Sequence, residues 1–118
     1  MKRLQLMLAL GLVAAVVAAP PAQPAPIKLT ATVGPGFTIN LTRAGKKVKT
    51  LKAGRYVITV KDRSSIHNFH LRGPGSVNKK TGVSVTGTRT WTVTLKKGTY
   101  RYVCDPHATM MKGSFRVT

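Results

Sequence analysis

The residues of this sequence best suited to chemistry are a single cysteine, two histidines and a pair of adjacent methionines. Cys104 and His107 lie three positions apart, Met110 and Met111 follow within four residues, and His67 lies far upstream. Two imidazoles and a thiolate in one plane, with a distant thioether on the axis, form the ligand set of a blue copper site. The residue types therefore predict one type 1 copper site per chain, with His67, Cys104 and His107 in the plane.

The spacing of these residues has a physical reason. Cys104 ends one predicted strand and the methionine pair begins the next, so the loop between them can close over a metal. His107 lies in the middle of that loop, with its ring edge near solvent. His67 comes from a distant strand and ties the site to the fold. Because two separate segments supply the ligands, the fold can preset one geometry for both copper oxidation states.

The composition excludes several other kinds of site. One Cys excludes an intramolecular disulfide, a CxxC-type metal cage and a binuclear copper site. Two carboxylates, Asp62 and Asp105, are too few for paired-carboxylate catalysis or for a calcium or magnesium cage. The chain has only three His, whereas multicopper oxidases and nitrite reductases carry further histidines for further coppers. We therefore expect that the chain is not an enzyme.

Apolar and polar residues alternate with period two along most of the chain from residue 27 onward, as is typical of strands with one face in a core. Turn signals such as Gly34-Pro35-Gly36 separate the alternating segments. The pattern predicts an all-β fold, an antiparallel β-sandwich of seven or eight strands. The alternating segments are 28–33, 37–42, 56–61, 66–71, 90–95, 99–104 and 114–117.

The same alternation assigns side chains to faces. His67 shares the inward face of its predicted strand with two apolar residues, and Cys104 shares the inward face of another with two tyrosines. Asn68 and His70 lie on the opposite face. We therefore expect His70 to be exposed and to lie outside the ligand set.

The ligand segments also resemble a known family. Cys104-Asp105-Pro106-His107 followed by Met-Lys-Gly resembles the ligand loop of cupredoxins of the plastocyanin, pseudoazurin and amicyanin type. His67-Asn68 resembles the pair that brings the first copper ligand in those proteins, and the resemblance covers residues 28–118. The resemblance implies a Greek-key sandwich with one type 1 copper site, which carries single electrons between redox proteins.

The resemblance also implies roles for individual residues. Asn68 would hold the two ligand segments together by hydrogen bonds. His107 would be the electron exit, set in an apolar patch to which the loop Gly34-Pro35-Gly36 contributes. Nδ1 of His67, the sulfur of Cys104 and Nδ1 of His107 would be the equatorial donors.

Two adjacent methionines compete for the axial position. Met110 keeps the short His-to-Met spacing of amicyanin-like loops, whereas Met111 keeps the Met-x-Gly entry into the last strand. Strand register fixes side-chain direction, and a slip of one residue reverses it. We therefore favour Met111 as the axial ligand, with Met110 as the alternative.

The N-terminal residues predict export. Lys2 and Arg3 precede an apolar stretch that ends in Ala18-Ala19, which is the layout of a secretory signal peptide. We expect a signal at 1–19, a Pro/Ala-rich linker at 20–26 and the folded domain at 27–118. The mature protein would be periplasmic or extracellular, with no stable membrane insertion after the signal is removed.

The charge of the chain bears on its partners. The net charge is +18, and loss of Lys2 and Arg3 with the signal would leave +16. Export argues against nucleic acid as the target, so we expect a monomer that is steered toward an acidic redox partner protein. Two alternatives remain open. The same ligands could serve a copper-delivery protein, and a metal-free module could bind an anionic polymer through its basic faces.

Overall fold

Residues 9–118 form ten strands in two sheets. The computed structural model describes residues 9–118; the predicted signal peptide therefore lies partly outside the described residues, and residues 9–25 are exposed. No helix within 9–118 is long and apolar enough to cross a membrane. The strands are β1 (Ile27–Val33), β2 (Ile39–Arg43), β3 (Lys46–Lys47), β4 (Thr50–Leu51), β5 (Gly54–Asp62), β6 (His70–Gly73), β7 (Val77–Lys80), β8 (Gly87–Leu95), β9 (Gly98–Val103) and β10 (Lys112–Val117).

The predicted all-β sandwich is confirmed, with differences in detail. The first sheet has the order β3-β2-β1-β5-β8, and the second has the order β4-β10-β9-β6-β7. Both sheets are mixed rather than purely antiparallel, because β1 pairs in parallel with β5 and β4 pairs in parallel with β10. The chain visits the second sheet at β4 and returns as β5, which then runs beside β1 in the same direction. The additional strands β3, β4 and β7 are short and lack the apolar alternation that predicted the others.

The core lies between the sheets and is rich in aromatic side chains. Tyr100 stacks on Phe115 with ring centroids 5.3 Å apart, and Phe69 stacks on Tyr102 at the same separation. Tyr102 also lies across Gly113, its direct partner on β10, so closely that a Cβ at Gly113 would overlap the tyrosine ring. The absence of a side chain at this position therefore lets the aromatic layer close over the strand that follows the predicted ligand loop.

Three loops meet at one end of the sandwich and carry the predicted site. Residues 34–38 join β1 to β2, residues 63–69 join β5 to β6, and residues 104–111 join β9 to β10. The backbone N–H of Arg63 donates to the carbonyl oxygen of Val33 at 2.9 Å, which ties the first two loops together.

Two predictions about these loops are wrong. The alternation over residues 37–42 predicts that Phe37 begins a strand and faces the core with Ile39 and Leu41, but β2 begins at Ile39 and Phe37 is 57% exposed. His70 was expected to be exposed, but it is only 8% exposed. Strand β6 begins at His70, so residues 66–69 form no strand, and the His70 ring lies against Asp105 of the ligand loop and Asn78 of β7. The period-two alternation of the sequence does not predict these tertiary contacts, and so it could not predict the burial of His70.

We expect Gly113→Ala to destabilise the fold, because the new methyl group must displace Tyr102 from its stack on Phe69. Overpacking of this kind costs about 1–3 kcal/mol in the free energy of unfolding. Denaturant unfolding of the variant measures the change. The control is Ser114→Ala, an exposed position on the same strand, which should change stability by less than about 0.5 kcal/mol. Equal stability of the two variants would contradict this account of the packing.

Candidate metal centre

The turn that follows β9 places two of the predicted ligands. Pro106 lies within a single 3-10 turn, Asp105–His107, directly after Cys104. The N–H of His107 donates to the carbonyl of Cys104 at 3.0 Å, and the N–H of Met111 donates to the carbonyl of His107 at 2.8 Å. The N–H of Cys104 donates in turn to the carbonyl of Met111 at 3.0 Å. The loop is thereby closed on itself, with both of its ends fixed.

The loop after β5 brings the third residue. His67 is 1% exposed and Cys104 is fully buried, while His107 is partly exposed. Nδ1 of His67 lies 3.0 Å from Nδ1 of His107, and Sγ of Cys104 lies 3.6 Å from each of these nitrogens. Among the residues described, this trio is the one cluster of His, Cys and acidic side chains arranged to hold a metal ion.

The three donor atoms fit a transition metal. A point equidistant from atoms with these three separations lies about 2.0 Å from each of them, within the range of about 2.0–2.1 Å at which histidine nitrogen binds a metal such as zinc. A trigonal set of two imidazoles and one thiolate is the arrangement that blue copper sites use. The site therefore suits copper by both its geometry and its donor types.

The two methionines occupy different environments. Met111 is fully buried, whereas Met110 is 64% exposed. Met111 continues, just before β10, the alternation that buries Phe115 and Val117. The backbone N–H of Met110 donates to the carbonyl of His107 at 3.1 Å. The axial assignment to Met111 stays a prediction, now with burial in its favour.

Asn68 connects the two ligand loops. Its side-chain Nδ2 donates to Oδ2 of Asp105 at 2.8 Å and to the carbonyl of Thr81 at 3.2 Å. The backbone N–H of Asp105 donates to Oδ1 of Asn68 at 2.7 Å. The backbone N–H of Asn68 also points to Sγ of Cys104 at 3.5 Å. Through these contacts Asn68 is hydrogen-bonded to the loop that carries Cys104 and His107, while it is itself the neighbour of His67 in the other loop.

Four residues near the site were not anticipated in these roles. Phe37 packs edge-on against both histidine rings, with centroids 5.2 Å from His67 and 5.0 Å from His107. Thr81 accepts a hydrogen bond from the N–H of Phe69 at its hydroxyl, 2.9 Å away, beside the Asn68 contact. The other two are His70 and Asp105. The sequence could have indicated a role for Asp105, because this residue lies between two predicted ligands in a chain that has only two acidic residues.

The two carboxylates respond differently to their surroundings. Burial raises the pKa of Asp62, against the hydrogen bond from the Ser64 N–H and the charge of His67, which lower it. Partial burial also raises the pKa of Asp105, but hydrogen bonds from Asn68 and His70 and the charges of His70 and Arg72 outweigh it. The pKa of Asp105 therefore lies below its usual value, and its carboxylate is ionised at neutral pH.

We expect Met111→Leu to raise the reduction potential of the copper-loaded protein and to alter its visible spectrum, because loss of a thioether donor destabilises Cu(II) more than Cu(I). Met110→Leu is the matched control and should leave both unchanged. Voltammetry and absorption spectroscopy of the two variants make the comparison. If only Met110→Leu moved the potential, Met110 would be the axial ligand.

Comparison with known proteins agrees with this reading of the site. Residues 36–118 match the family described as copper binding proteins, plastocyanin/azurin family. A comparison with curated proteins found no match. A single-residue variant of rusticyanin has a similar structure, with a TM-score of 0.59 and 25% sequence identity over 81% of this chain and 80% of that chain.

Two further rusticyanin structures are similar. Reduced rusticyanin gives a TM-score of 0.56 with 25% identity over 82% of each chain. Rusticyanin from Thiobacillus ferrooxidans gives 0.55 with 26% identity over 81% of this chain and 79% of that one. Since the matched residues 36–118 include the whole donor cluster and most of the sandwich, the chain belongs to the plastocyanin/azurin family of copper-binding proteins, the cupredoxins, and copper is its cofactor.

Proposed function

We propose that this protein is an exported electron carrier that passes single electrons between redox proteins and catalyses no reaction of its own. The observation that carries the proposal is the closeness of the three donor atoms, which lie 3.0–3.6 Å apart within a buried, hydrogen-bonded frame. Copper bound there supplies a one-electron Cu(II)/Cu(I) couple. A frame that already holds its donors in place needs little movement when an electron arrives or leaves.

The residues around the donors support this role. Cys104 and His67 are buried, so the protein keeps water away from them. His107 is the only one of the three donors that is partly exposed. Phe37 packs edge-on against its ring, and the side chains of Phe37, Ala108 and Met110 are exposed. An apolar surface around the one accessible donor is suited to brief contact with a partner and to electron exchange through the His107 ring.

The charge on the second sheet supports an acidic partner. The outward residues of β6, β7, β9 and β10 form a basic face, defined here as Arg72, Lys80, Arg101, Lys112 and Arg116, all exposed. Arg72 lies directly opposite Arg101 across the strand pair. Like charges directly opposite each other are destabilising, and binding of carboxylates would relieve that repulsion. Arginine also pairs with carboxylates through two parallel hydrogen bonds.

The edge strand of the first sheet differs from the basic face. The outward residues of β8 include four exposed threonines, Thr88, Thr90, Thr92 and Thr94. The first sheet carries its positive charge on other strands, at residues such as Lys28 and Arg55, whereas the basic face of the second sheet adjoins the ligand loops. We propose that an acidic redox protein docks over the copper end and the adjoining basic face.

Export is the remaining part of the proposal. It is supported by the secretory layout of residues 1–19 and by the single cysteine, which the fold buries. Burial protects a lone thiol in an oxidising compartment, where disulfides form readily.

The visible spectrum tests the carrier function. We expect the Cu(II)-loaded protein to show an intense thiolate-to-copper band that a reductant bleaches, and Cys104→Ser to lack it. A colourless wild-type protein, or a band that survives the loss of Cys104, would contradict the proposal. Copper delivery, the alternative function, predicts rapid loss of copper to a competing chelator, so slow loss together with fast electron exchange favours the carrier.

We expect the basic face to accelerate electron exchange with an anion. The probe is hexacyanoferrate(III), which oxidises the Cu(I) protein in a stopped-flow experiment at several ionic strengths. Replacing Arg72 and Arg101 with Gln should slow the reaction severalfold at low salt and flatten its salt dependence. The control replaces Lys28 and Arg55 with Gln, which removes the same charge from the first sheet. Equal effects of the two double variants would show that only net charge matters, not this face.

A further inference from the structure

His70 belongs to a hydrogen-bonded cluster next to the copper site. Its Nδ1–H donates to Oδ1 of Asp105 at 2.8 Å, with Oδ2 at 3.1 Å, and its Nε2 lies 2.6 Å from Oδ1 of Asn78. Both ring nitrogens are therefore engaged, which fixes the orientation of the ring. His70 makes no hydrogen bond to any of the three metal donors, so it can influence the site only through the residues to which it is hydrogen-bonded.

The composition of the chain makes this cluster unusual. The protein has 20 Lys and Arg but only 2 acids, and within residues 9–118 the ion-pair contact of Asp105 is with His70 rather than with a lysine or arginine. A buried imidazole needs hydrogen-bond partners to offset its lost hydration. An apolar residue would fill the same space without that need, so packing alone does not account for a histidine here.

Two further sets of hydrogen bonds connect this cluster to the Cys104 thiolate. Asp105 receives a hydrogen bond from the Asn68 side chain at 2.8 Å and donates its own N–H back to Asn68 at 2.7 Å. The backbone N–H of Asn68 then points to Sγ of Cys104 at 3.5 Å. Hydrogen bonds to ligand atoms from outside the coordination sphere orient those atoms and tune the metal. The position of Asn68 therefore depends on a carboxylate that His70 holds.

We propose that His70 is a positioning residue for the Cys104 thiolate, acting through Asp105 and Asn68. The proposal rests on the copper function proposed above and adds a residue that lies outside the donor cluster and makes no hydrogen bond to any of the three donors. Without His70 the Asp105 carboxylate loses its buried partner, the Asn68 segment becomes freer, and the N–H···S contact is weakened. A sulfur with a weaker hydrogen bond donates more charge to copper and favours Cu(II).

The test is His70→Gln in the Cu(I)-loaded protein, which is diamagnetic and allows NMR. Glutamine is polar, but its single amide cannot hold Asp105 and Asn78 as the imidazole does. We expect the Asn68 amide to exchange with solvent about tenfold faster, as loss of a hydrogen bond to a charged group implies, while the amides of β5 and β8 keep their rates. The reduction potential should fall and the thiolate-to-copper band should shift.

The matched control is Arg72→Gln, on the same strand. It removes a positive charge that acts on Asp105 but breaks none of the hydrogen bonds in the cluster. Its potential is expected to change, whereas the exchange rate of the Asn68 amide is not. This difference separates positioning from simple electrostatics.

Two results would overturn the proposal. One is an unchanged Asn68 exchange rate and unchanged band in a folded, blue His70→Gln protein. The other is equal acceleration at all amides, which would mean a purely structural role.

If His70→Gln fails to fold, Asn78→Ala replaces it, because Asn78 is exposed and supports only the outer side of the ring. That variant should show a smaller acceleration at Asn68, and no acceleration there overturns the proposal. A colourless wild-type protein would instead contradict the copper function itself.

Discussion

The reciprocal hydrogen bonds between Asn68 and Asp105 are the constraint on which the copper site depends. One loop supplies His67 and another supplies Cys104 and His107. Asn68 and Asp105, the residues that join the two loops, are 37 positions apart in the sequence. Neither loop alone can form the donor triangle. The pair of bonds sets the distance between the loops, and the N–H of Asn68 at the thiolate follows from the same arrangement.

The sandwich makes that arrangement rigid. The ligand turn follows β9 directly, and β9 is held on one side by β10 and on the other by β6. Tyr102 on β9 packs between Phe69, two residues after the donor residue His67, and Gly113, two residues after the buried Met111. The aromatic core therefore reaches both ligand loops, and a close-packed interior resists small displacements. This rigidity suits a centre whose geometry must serve two oxidation states.

Charge is distributed unevenly in relation to the site. Both acids of the chain lie next to the ligand loops, Asp62 at the end of β5 and Asp105 beside Cys104, while the basic side chains are spread over the surface. Negative charge near a metal favours its more positive state. The two carboxylates thus counteract the field of a strongly cationic protein at the place where that field would otherwise oppose Cu(II).

The sequence by itself determined the all-β class, the inward direction of His67 and Cys104 and the soft donor types, because side-chain alternation and ligand chemistry are local properties. It could not determine the parallel pairings, since these depend on which sheet β4 joins. It also misplaced Phe37 and His70. Alternation tells which side of a strand a residue lies on, but whether that side is open to water depends on which other strands and loops the fold packs against it. Only the tertiary structure brings Asp105 and Asn78 onto His70 and the Phe37 ring onto the ligand histidines.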